Sequence, residues 1–152
     1  MSLWSAVAAA GQAPASAVLS DALRTHLREA PFGVVTSIRG LPLGVRDQLQ
    51  QIFGGTLDIA EPGAEFRSDS RAASPRLPLR RMVAAGCSPT SYCLIYYERG
   101  GTEQTWRVVL FHWTPAATRF EWGGTASRGL ATIDDVRSAI LSGGINGQIR
   151  VW

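Results

Sequence analysis

The chain contains no lysine: all 15 of its basic residues are arginine. A P-loop is therefore excluded, because its phosphate cradle needs the lysine of G-x-x-x-x-G-K-[ST]. The uniform choice of arginine points to a GC-rich, bacterial-like coding sequence rather than to selection at one site. It still has a chemical consequence. Arginine makes planar, bidentate contacts, so basic patches here suit oriented contacts with carboxylate or phosphate better than diffuse attraction. The net charge of +3 is too small to argue for nucleic acid, and RNA-recognition, KH and zinc-finger patterns are missing, so a nucleic-acid partner is not expected.

Cysteine and histidine are nearly absent as well. Cys87 and Cys93 cannot form the framework that staples small secreted domains, and the expectation is a reducing, cytoplasmic location. With His26 and His112 far apart in sequence, neither a C-x-x-C nor an H-x-x-x-H pattern exists, and neither a metal nor any other cofactor is expected. Long apolar runs are lacking too: nothing approaches the ~20 residues that span a bilayer, so no membrane partner is expected. Residues 1–15 faintly resemble a signal peptide but have no basic start. G-x-S-x-G, H-E-x-x-H and kinase signatures are also missing, which removes the commonest hydrolase and transferase classes.

What is present reads as one globular domain over residues 1–152, with 45% hydrophobic and 18% charged residues. Val18, Leu19, Ala22, Leu23, His26 and Leu27 repeat at helical spacing, which predicts a helix over residues 16–29 with Ser16 as its cap. A strand over 32–38 follows. A second helix carries Val45, Leu49, Ile52 and Phe53 on one face, and Leu57 and Ile59 alternate in a short strand. Residues 61–79, with three prolines and three serines, form a long loop, a place where function tends to sit.

Residues 80–85 supply a further strand. Residues 92–98, 104–113 and 118–124 are aromatic and β-branched, separated by Gly100-Gly101 and Thr114-Pro115, and predict a three-stranded meander. Thr132 and Asp135 form a capping box for a last helix with Ile133, Val136, Ile140 and Leu141 along one stripe; residues 149–152 suggest an edge strand. The fold class is α+β, mainly antiparallel sheet. On the middle strand Arg107, Val109, Phe111 and Trp113 alternate with Trp106, Val108, Leu110 and His112, so both sheet faces are apolar. If three helices cover one face, the other is left to the N-terminal segment, the long loop or a second copy of the chain, and a homodimer or protein partner is the expectation.

Three candidate chemistries stand beside their plainer alternatives. Cys87, on a small-residue turn, is a possible nucleophile with His112 or His26 as base; the alternative is an inert buried thiol. Arg67, Arg71, Arg76, Arg80 and Arg81 could hold a small anion or simply face solvent, although Arg80 and Arg81, being adjacent, cannot clamp one anion together. The aromatic meander offers a stacking surface or a core, with Trp122 the ring expected to be partly exposed. Residues 123–129 precede a helix whose first turn carries Asp134-Asp135, which opposes anion binding there. The combined expectation is a non-catalytic binding domain, with a cysteine-dependent enzyme or an anion-binding regulatory domain as alternatives.

Overall fold

Ser20, rather than Ser16, caps the first helix: its hydroxyl accepts the Leu23 N–H at 3.2 Å and starts α1 (Asp21–Glu29). Pro31 prevents continuation. The structure, a computed structural model, describes residues 18–68, 76–89, 91–127, 129–147 and 152, so the expected cap at Ser16 lies outside the described residues. β1 (Gly33–Val35) is shorter than the expected strand, because Ser37 caps a 3-10 turn over Ile38–Gly40 and the Glu61 carboxylate accepts the Ile38 N–H at 2.9–3.1 Å. Then come α2 (Leu43–Ile52), β2 (Ile59–Ala60) and β3 (Arg80–Cys87).

The meander is present, with β4 (Tyr92–Arg99), β5 (Thr105–Trp113) and β6 (Thr118–Ala126). α3 (Ile133–Leu141) starts in the expected capping box of Thr132 and Asp135, and β7 (Ile145–Asn146) pairs with β6. The expected edge strand at 149–152 lies outside the described residues except for Trp152. The sheet runs β1-β3-β4-β5-β6-β7 with antiparallel neighbours, while β2 pairs in parallel with the start of β3.

Alternation along these strands builds two cores. One contains Leu94, Tyr96, Val108, Leu110 and Trp122 against Leu27 of α1 and Val136 and Ile140 of α3. The other contains Ile95, Tyr97, Val109 and Phe111 against Val45 and Leu49 of α2, with Met82 and Ile59. The helices are thus divided two and one between the faces, not gathered on one. Both faces are covered by the chain itself, and the geometric reason for expecting a homodimer disappears.

The long loop folds back at its described ends, where the Arg67 N–H donates to the Pro78 carbonyl at 2.8 Å and Phe66 is buried. Gly100 lies under this crossing. Its N–H donates to Leu79 at 2.9 Å, and a Cβ there would overlap the main-chain carbonyl of Arg67. The absence of a side chain at position 100 is what lets the two segments meet.

Candidate functional site

The strand register separates the expected catalytic pair. Cys87 and Cys93 are cross-strand partners on β3 and β4 with Cα atoms 4.1 Å apart, and they are joined as a disulfide. Cys87 therefore has no free thiolate in this oxidised form, and such a bond persists in oxidising surroundings, so the cysteines no longer argue for a cytoplasmic location. His112 is one residue beyond Phe111, the β5 partner of Cys93, so it projects from the opposite face of the sheet. There its ring meets Tyr92 at 5.1 Å. The structure does not bring His112 to Cys87.

His26 approaches Ser88 instead, with Nε2 2.9 Å from the Ser88 hydroxyl oxygen. That oxygen also accepts the Tyr92 N–H at 3.0 Å, and Ser88 is 2% exposed. The Tyr92 ring packs at 4.7 Å and that of Phe32 at 5.8 Å. Burial, helped by Arg137, lowers the His26 pKa from 6.5. The arrangement favours a neutral imidazole and closes the turn between β3 and β4.

Trp122 departs from expectation in the same direction. Leu110 pairs with Trp122 but Phe111 pairs with Phe120, so Glu121 is an extra residue, a β-bulge. The bulge reverses the alternation and turns Trp122 onto the α1/α3 face, where it is 4% exposed. It contributes to the core and is out of a ligand's reach. Tyr96, Tyr97 and Phe111 are fully buried as well, so the meander's central aromatics pack the interior.

Among the arginines, Arg71 lies outside the described residues, Arg67 is half-buried at the loop crossing and Arg76 is exposed. Arg80 and Arg81 do point to opposite faces. Arg81 pairs with Glu98 at 2.6 Å and stacks on Phe66 at 4.4 Å, whereas Arg80 faces α2. The register then places Arg99 directly opposite Arg80, and Arg107 directly opposite Tyr97, all on that same face. Like charges directly opposite each other destabilise a sheet unless something neutralises them.

Here an oxygen atom does so in part. Arg80 Nη2 and Arg99 Nε both donate to the main-chain oxygen of Trp152, at 2.6 and 3.0 Å. Arg80 Nη1 pairs with Asp58 at 3.1 Å, and its guanidinium lies 4.1 Å over the Phe53 ring. Arg80 is 6% exposed, and its Nε has no hydrogen-bond partner among the described residues. Burial lowers the pKa of both Arg80 and Arg107, and the charge of Arg99 lowers each further. Arginine remains protonated regardless. Burial raises the pKa of Tyr97, against the pull of all three guanidiniums. Three cations thus lie close together on this face, with Asp58 paired to Arg80.

Sequence reasoning found Arg80 but missed Arg99 and Arg107; the signal was available in the pairing of β3, β4 and β5 once their register was fixed. Comparison with family models, with curated proteins and with solved structures finds no match to this chain. Among the described residues no helix is long and apolar enough to cross a membrane.

Proposed function

We propose that this α+β domain is a non-catalytic binding domain whose ligand is a small carboxylate- or phosphate-bearing anion, held by Arg80 and Arg99 in the field of Arg107. The observation that carries the reading is the convergence of Arg80 and Arg99 on one oxygen at 2.6 and 3.0 Å. Buried cations are costly unless paired, and an anion answers that cost. Guanidiniums at fixed positions on a sheet are also preorganised, so little side-chain entropy is lost on binding.

The test is thermal unfolding with inorganic phosphate or citrate. A ligand present at a hundred times its Kd adds about 2.7 kcal/mol, which raises the Tm of a domain this size by roughly 5–10 °C. Arg99→Gln is expected to abolish the shift and Arg76→Gln to leave it intact. No shift at tens of millimolar, or equal shifts in both variants, contradicts the reading.

A further inference from the structure

We propose that Cys87 is a thiol-exchange site: a small thiol reaches its sulfur along the edge of the sheet and opens the Cys87–Cys93 disulfide while the chain stays folded. This stands apart from the anion reading above. Strand register carries it. Cys87 on β3 has Cys93 directly opposite on β4 and Gly33 directly opposite on β1, the edge strand, so the three residues form one row across neighbouring strands. Directly opposite residues project from the same face. The disulfide fills the row on one side of Cys87, and on the other side stands a glycine.

Exchange makes a directional demand that suits this row. The attacking thiolate approaches a disulfide sulfur roughly in line with the S–S bond, from the side away from the leaving sulfur, so access on that side decides which sulfur reacts. For Cys87 that side is β1, where Gly33 leaves about one strand spacing, ~4.8 Å, free of side chain. For Cys93 it is β5, where the directly opposite residue is the fully buried Phe111. Burial agrees: Cys93 is 0% exposed, whereas Cys87 is half-buried and lines an open hollow of about 450 Å³ with Pro31, Val35, Pro42, Pro89 and Trp113. In the step, the thiolate sulfur bonds to Cys87 Sγ, the bond between the two Sγ atoms breaks, and its electron pair leaves on Cys93 Sγ, which takes up the proton the attacking thiol gave to solvent. A second thiol attacks the outer sulfur of the mixed disulfide and releases Cys87 as a thiol; the small thiol is oxidised to its disulfide and the protein's disulfide is reduced.

The experiment treats the folded full-length protein with 2-mercaptoethanol, quenches in acid at intervals and maps the mixed disulfide by mass spectrometry. The adduct is expected on Cys87 in roughly tenfold or greater excess over Cys93, at a rate that does not follow global unfolding when urea is added below the unfolding transition. Gly33→Leu places a side chain in the line of approach and is expected to slow exchange by about tenfold. The Cβ of such a side chain meets only the Cys87 carbonyl oxygen, at an ordinary 3.6 Å, so the strand accepts it. Val34 projects from the other face, and Val34→Ala is expected to leave the rate unchanged.

An adduct on Cys93, equal exchange rates in Gly33→Leu and the unaltered chain, or reduction that occurs only as the chain unfolds overturns the proposal. Should Gly33→Leu fail to fold, the mapped position of the adduct on the unaltered chain decides. Should complete reduction outrun the mixed disulfide, the single variants decide: 2-hydroxyethyl disulfide is expected to thiolate folded Cys93→Ala about tenfold or more faster than folded Cys87→Ala, and similar rates overturn the assignment to Cys87.

Discussion

Replacing Arg137 by alanine removes a side chain that ties α3 to the end of α1. Arg137 Nε donates to the Leu27 carbonyl at 2.8 Å and Nη2 to the Ala30 carbonyl at 2.7 Å, with its guanidinium 4.7 Å over the Phe32 ring. These are orphan carbonyls of a helix C-terminus, where a cation is also favoured by the macrodipole. Arg24 does the same in return, donating to Leu141 at the end of α3 at 2.8 Å. A hydrogen bond to a charged group contributes roughly 1.5–3 kcal/mol, and water reclaims part of it at a boundary site, so Arg137→Ala is expected to cost about 2–3 kcal/mol. At 2–4 °C per kcal/mol this is a Tm loss of roughly 5–10 °C.

The fourth partner provides the control. Asp134 lies 3.3 Å from Arg137 Nη1 but its side chain is 83% exposed, so Asp134→Ala is expected to change stability by less than about 0.5 kcal/mol. Urea unfolding of both variants at unchanged m-value measures the difference. An Arg137→Ala effect below 0.5 kcal/mol, or an equal cost for Asp134→Ala, refutes the assignment of the stabilisation to the helix end.

His26 gives a pH dependence. Its folded pKa is lowered below 6.5, so the unfolded chain takes up the proton first and stability declines as pH falls below about 6.5; His26→Gln is expected to flatten a urea-midpoint profile between pH 8 and 5. Gly100→Ala forces the Arg67 main chain aside and is expected to cost about 1–3 kcal/mol in the same assay. Iodoacetamide is expected to label neither Cys87 nor Cys93 until a reductant is added; rapid labelling of Cys87 in the untreated folded protein, read by mass spectrometry, contradicts the disulfide.

Local signals made much of this fold legible. Gly100-Gly101 and Thr114-Pro115 delimited the meander, and Thr132 with Asp135 fixed the start of α3. These depend on neighbours a few residues apart. The distribution of α1 and α3 on one face and α2 on the other depends on how connections cross the sheet, which periodicity does not encode. Trp122, beside Glu121 and before Gly123-Gly124, was expected to be partly exposed; one extra residue, Glu121, inverts the alternation along β6 and turns the ring inward, which its neighbours in sequence do not reveal. The arginine cluster was hidden for a related reason: Arg80, Arg99 and Arg107 are 19 and 8 residues apart, and only strand register makes them neighbours.

The most direct test of that cluster observes the guanidiniums themselves. In a 15N-labelled sample titrated with inorganic phosphate, the Nε–H resonances of Arg80 and Arg99, assigned by single substitution, are expected to shift together and saturate at one equivalent of bound anion. Saturable shifts confined to exposed arginines such as Arg76, with Arg80 and Arg99 unmoved, would contradict the assignment of the anion site to this face.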